Sequence, residues 1–258
     1  MSGFWLLIHP STAFFDRKLK RCSSSISTIV SPSFWTLIEV LRKPSLTKHL
    51  ANEIPQYYSA RSAEYDVAGL ASMPLLQSIH KEIERLRVAF YLVQEVAIDD
   101  CRLDSQWKLP KNASAVAFSH DVAMNTAEWA KARPRTVERP LEEFWAERFL
   151  ILDRTTSHPR KDQPKSEKVE TGRFSMHGIE HLDLASSSDH YASLGQDFAK
   201  AVQTATLAIF LTEFELQLCD LEAVDAAMPP VRETAFGEVR VLDKVAVRIR
   251  KRGTREKR

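Results

Sequence analysis

Apolar residues recur at helical spacing in several stretches of this chain and alternate in two others. Phe34, Trp35, Leu37, Ile38 and Leu41 repeat with the period of a helix. Pro44 stops that helix, and Ser45 is placed to cap another that runs to about Ile54. Residues 55–71 read as loop. Ser72-Met73-Pro74 opens the next helix, with proline in the permissive first turn. Leu75, Ile79, Glu82 and Leu86 then share one stripe, so a carboxylate sits on the buried line. A buried carboxylate needs a charged partner, and Arg85 lies one turn away. The strongest helical pattern spans 194–216, with Leu194, Phe198, Ala201, Val202, Ala205, Ile209 and Phe214 as its apolar face. Val88, Phe90 and Leu92 alternate as in a strand. Val239 and Val241, then Val245, Val247 and Ile249, alternate on either side of Leu242-Asp243-Lys244 and suggest a terminal hairpin over 237–250. The pattern as a whole is mainly α with small β-sheets.

Polar runs divide the chain. Residues 22–27 (Cys-Ser-Ser-Ser-Ile-Ser) read as a loop, so 1–27 is expected to be an irregular N-terminal segment. Residues 28–250 form the body, and 251–258 a basic tail. Residues 153–192 are poor in apolar side chains and rich in Ser, Asp, Lys, Pro and His, as in a long surface connection. The composition, 44% hydrophobic and 27% charged, is that of a soluble globular protein of 258 residues. Net charge is +2, with +6 concentrated in residues 248–258. No aromatic residue interleaves with those charges, so the tail reads as solvated and no nucleic-acid partner is expected. Cys22, Cys101 and Cys219 are too few and too scattered for a disulfide framework or a zinc site, which favours a reducing compartment. The apolar run Gly3–Ile8 ends at His9-Pro10, far short of the ~20 residues of a membrane span. It has no basic residue ahead of it, so it is no signal peptide either, and a cytoplasmic location is expected. His177, His181 and His190 share a polar stretch and read as solvated rather than as metal ligands. No nucleophile–base pair stands out.

Three segments, in order, carry a family resemblance: Lys-Glu-Ile-Glu-Arg-Leu-Arg at 81–87, Trp-Ala-Glu-Arg-Phe-Leu at 145–150, and Ser-Leu-Gly-Gln-Asp-Phe-Ala-Lys at 193–200. Together they resemble the haem-thiolate monooxygenases, the cytochromes P-450. The resemblance covers about 28–252 and corresponds to the C-terminal half of that fold. It implies that Glu82, Arg85 and Arg148 form a structural triad behind a haem. Two guanidiniums around one buried carboxylate satisfy its oxygens. Leu109-Pro110-Lys111, Trp129 and Val247–Arg250 also fit in order, as does Thr28–Trp35, which resembles the family's oxygen-activating helix in Phe34 and Trp35.

The family's ligand loop, Phe-x-x-Gly-x-Arg-x-Cys-x-Gly, aligns without insertion when anchored on Phe198-Ala199-Lys200. Ser186 then replaces Phe, Asp189 replaces Gly, Tyr191 replaces the haem-propionate Arg, and Ser193 replaces the axial Cys; Gly195 is kept. Apart from the resemblance, Ser193 and Gln196 read as a capping box. The resemblance implies haem as cofactor, a lipophilic small-molecule substrate of fungal secondary metabolism, and a reductase partner. A serine hydroxyl is not a soft thiolate. The expectation is therefore a truncated, inactive member that does not bind haem through a thiolate. The alternatives are an active monooxygenase read incompletely, and a haem-free scaffold with a partner at the surface left by the missing N-terminal half.

Overall fold

The computed structural model describes residues 4–8, 23–89, 91–95, 101–102, 108–152, 169–183, 196–231, 237–238 and 242–253. They form a mostly helical body with small antiparallel sheets. The strands are β1 (Phe4–Ile8), β2 (Tyr58–Ser59), β3 (Glu64–Tyr65), β4 (Val88–Ala89), β5 (Tyr91–Glu95), β6 (Cys101–Arg102), β7 (Lys108–Leu109), β8 (Ser114–Phe118), β9 (Leu150–Leu152), β10 (Gly172–Phe174), β11 (Phe214–Leu218), β12 (Gly237–Glu238) and β13 (Val245–Lys251). The helices are α1 (Ser23–Leu41), α2 (Pro44–Glu53), α3 (Val67–Ala71), α4 (Pro74–Arg87), α5 (Ser119–Ala123), α6 (Thr126–Ala132), α7 (Gln196–Glu213) and α8 (Leu221–Ala227).

Helix α1 is a central beam. Trp35, Leu37, Ile38 and Val40 are buried in it, and it packs on α2, α4 and α7. It also runs through Ser23–Ser27, where the polar run suggested a loop. Serine is only a mild helix disfavourer, and adding residues to an established helix is far easier than starting one. Pro44 does more than stop α1. It occupies the first turn of α2, whose N-cap is Lys43, and Ser45 lies inside the helix. Within 55–71 the structure places a short hairpin (Tyr58 opposite Tyr65) and α3, capped by Asp66 accepting from the Gly69 amide.

Helix α4 is buried almost all round. Leu75, Ile79, Glu82 and Leu86 are buried as their stripe requires, and His80, Lys81, Arg85 and Arg87 are buried as well. A helix enclosed on every side has no solvated face for its charges, so each needs a partner inside.

Further expectations change. The apolar stripe read from 194–216 is not the buried one. Phe198 is 65% and Ile209 44% exposed, whereas Thr204, Leu207, Ala208 and Leu211 are buried. The two stripes lie one residue apart, about 100° around the helix, and α1 and α3 meet the second. Beyond Glu213 the chain turns to strand rather than continuing as helix. Nor does the C-terminal alternation pair with itself among the described residues, which omit Val239 and Val241. β12 pairs with β4, while β13 pairs with β11, setting Leu216 opposite Ile249, and with β1. Alternation identifies a strand but not its neighbour. Finally, part of the polar stretch 153–192 is interior. β10 pairs with β9, and Ile179 and Leu182 are buried.

Candidate functional site

The densest polar cluster lies where α4 meets residues 123–149. Glu82 is fully buried. Arg85 grips it with both arms, Nε donating to Oε2 at 2.8 Å and Nη2 to Oε1 at 2.9 Å. Arg148 Nε donates to Oε1 at 2.9 Å, and the Trp145 amide donates to the same oxygen at 3.1 Å. Burial alone would push the Glu82 carboxyl up, but Arg85 and then Arg148 outweigh it and hold it below the usual carboxylate range. One carboxylate cannot neutralise two guanidiniums, and main-chain carbonyls complete the coordination. Arg85 donates to the carbonyls of Ala123 (3.1 Å) and Leu141 (2.6 Å). Arg148 donates to those of Arg139 (3.2 Å), Pro140 (2.9 Å) and Glu143 (2.9 Å), and also to Thr136. The turns from 134 to 149 are thus wound around Arg148 and fastened to α4. Phe149 adds a link, its amide donating to Ser78 Oγ at 3.2 Å.

Trp145 roofs this cluster. The guanidiniums of Arg135, Arg139 and Arg148 lie 4.7, 5.6 and 5.4 Å from its ring. Each oxygen of Glu82 is occupied and the group has no accessible surface, so it can neither bind a substrate nor move a proton. Its role is to fix the position of α4.

Two further charged groups on α4 escaped the sequence reading. Arg87 donates to Glu39 of α1 at 2.6 Å and lies 4.3 Å over Trp35. Glu39 also accepts from Arg42 at 2.9 Å. The signal was present: Glu39 stands four residues after Trp35 on a buried helical face, as Glu82 does on α4. Lys81 pairs with Glu84 and with Asp183, each at 2.7 Å, and ties α4 to the turn at 180–182. The third is His80. It is buried, and its Nε2 has no hydrogen-bond partner. Burial, and then the charge of Lys200, push the imidazole down to about 4.

His80 gives the protein an acid-side sensitivity of definite sign. Its folded value lies below its ordinary value, so the unfolded chain binds the extra proton between about pH 6.5 and 4. Stability contributed by the neutral imidazole is present above pH 6.5 and is lost as pH falls, by roughly 3 kcal/mol at pH 4. Urea unfolding across this range is expected to show that slope, and His80→Leu to reduce it. An unchanged slope in the variant would assign the sensitivity elsewhere.

The ligand-loop positions Ser186, Asp189, His190, Tyr191, Ser193 and Gly195 lie outside the described residues. α7 begins at Gln196, directly after them. Of the three histidines of the polar stretch, His177 and His181 are described and both are exposed, and His177 faces Glu180 at 3.7 Å. The described residues contain no group of three or more His, Cys, Asp or Glu arranged to hold a metal. No described helix is long and apolar enough to cross a membrane. No cysteine occurs from 102 to 218, and Cys219 is exposed at the far end of β11 rather than ahead of α7.

Residues 23–151 match the family model for cytochrome P450. The chain is 30% identical over 231 residues to the cytochrome P450 monooxygenase efuG of Hormonema carpetanum, covering 84% of this chain and 40% of that protein. It is 30% identical over 232 residues to the cytochrome P450 monooxygenase fsoE of Humicola fuscoatra, covering 86% and 39%. A plant relative, cytochrome P450 71A4 of Solanum melongena, is 28% identical over 197 residues. The chain therefore spans about two-fifths of the length of its fungal relatives. The matched region, 23–151, contains α1, α4 and all three members of the Glu82–Arg85–Arg148 lock, and this chain belongs to the cytochrome P450 family.

Proposed function

We propose that this chain keeps the family's core-locking frame without its haem-thiolate chemistry. The observation that carries the reading is Ser193, at the position where the family's axial cysteine falls, with no other cysteine between 102 and 218 to take its place. A thiolate is a soft anion at neutral pH, whereas a serine hydroxyl stays protonated and is a hard, weak donor. Tyr191 compounds the loss, since a phenol cannot supply the charge an arginine gives a propionate. The lock needs none of these residues. It is satisfied by main-chain carbonyls and by its own ion pairs, so the scaffold is free to outlast the chemistry. The ancestral activity on this reading is oxidation of lipophilic small molecules in fungal secondary metabolism, with a reductase as electron donor.

The test is turnover. Supplied with haem, NADPH, a reductase and labelled dioxygen, the protein is expected to place no label in a panel of lipophilic compounds. Labelled product above the level given by free haem would defeat the proposal.

A further inference from the structure

The two ends of the chain meet in one sheet. β1 and β11 form its edges and β13 its centre. The apolar run at the start of the sequence and the basic run at its end thereby become neighbours. We infer that this sheet docks the protein on the surface of an anionic lipid bilayer. The inference goes beyond the reading above, since it uses no haem ligand and no residue of the lock.

Strand alternation sorts the residues between two faces. Val245 and Val247 are buried, whereas Arg248 and Arg250 are exposed, as are Lys251 and Arg252 at the strand's end. In the antiparallel register Trp5 stands opposite Arg248, and Leu7 opposite Ala246. Directly opposite residues share a face, so the backbone places Trp5 and Leu7 on the arginine face of the sheet. β11 adds Gln217 opposite Arg248 and Glu215 opposite Arg250. Glu215 offsets one charge, but the excess is larger, since residues 248–258 carry +6.

The combination selects the partner. Basic side chains alone fit any polyanion, and a nucleic acid would use those charges without using the apolar strand beside them. A bilayer surface uses both. Anionic headgroups attract Arg and Lys, and tryptophan settles at the boundary between headgroups and acyl chains. One weak signal gives only marginal attachment, and a second makes it stable. The pairing of β1 with β13 supplies the two signals on one face. β1 has five residues, too few to cross the hydrocarbon, so the attachment is peripheral and reversible.

The test is co-sedimentation of the full chain with vesicles of phosphatidylcholine, alone or with about one-third phosphatidylserine. Binding is expected to be roughly tenfold or more tighter on the anionic vesicles, and the preference to fade in high salt. Each basic residue near such a surface contributes about fivefold, so Arg250→Gln with Lys251→Gln should weaken binding roughly twenty-fivefold. Arg250→Lys with Lys251→Arg keeps the charge and should bind as the unaltered chain does. Lipids brominated along the acyl chain should quench part of the tryptophan emission, and the conservative Trp5→Phe should remove that part. Equal binding to both kinds of vesicle, undiminished binding when the two charges are removed, no quenching that depends on Trp5, or a DNA duplex bound more tightly than the anionic vesicles would each overturn the inference.

Discussion

Replacing Arg148 by methionine is expected to destabilise the protein by roughly 5 kcal/mol, measured as the shift in urea unfolding. Methionine is of similar length, so the loss is polar rather than a matter of volume. Arg148 is fully buried. Its removal takes a donor from Glu82 and from the buried carbonyl of Thr136, and strips donors from the turn carbonyls of Arg139, Pro140 and Glu143. An ordinary domain has only about 5–15 kcal/mol in total, so the variant should be largely unfolded on mild heating. Lysine should rescue little, because a point charge cannot reproduce the guanidinium fork. Glu82→Gln is expected to cost about 3–5 kcal/mol by leaving Arg85 and Arg148 facing each other uncompensated. The double variant should lose less than the sum of the two singles, because each already breaks the same group. A loss under about 1 kcal/mol for Arg148→Met would mean that the group contributes no net stability, as some buried ion pairs do.

The sequence disclosed this lock because of a contradiction. Glu82 stood on an otherwise apolar stripe, which demanded a partner, and Arg85 was one turn away. Arg148 is 63 residues beyond Arg85, and only the order of motifs, not local physics, connected the two. Glu39 carried the same contradiction, but its partner Arg87 lies 48 residues away and no motif pointed to it. Other features were hidden for a different reason. α7 has two apolar stripes one residue apart, and which of them meets α1 is decided by packing that periodicity does not encode. The alternation read over 237–250 marked the strand at 245–251, yet its partners β11 and β1, like the β4 partner of Gly237–Glu238, were set by the fold and not by adjacency. His80 broke no visible rule, since a histidine beside a buried stripe is commonplace until its neighbours are known. The stretch from 184 to 195 is legible only as residue types, and that is where the functional argument rests.

The second large effect is all-or-none. In this family the axial thiolate imposes a distinctive red-shifted spectrum on the reduced, carbon monoxide-bound haem, because a charged sulfur donor pushes electron density onto iron. Ser193 has no such charge to offer, and Cys219 lies exposed beyond α7 and β11. The absorption spectrum of the purified chain, supplied with haem, reduced and exposed to carbon monoxide, tests this most directly. The thiolate-type band is expected to be absent, leaving either free haem or a haem with a neutral ligand. A full thiolate-type band in stoichiometric yield would contradict the account.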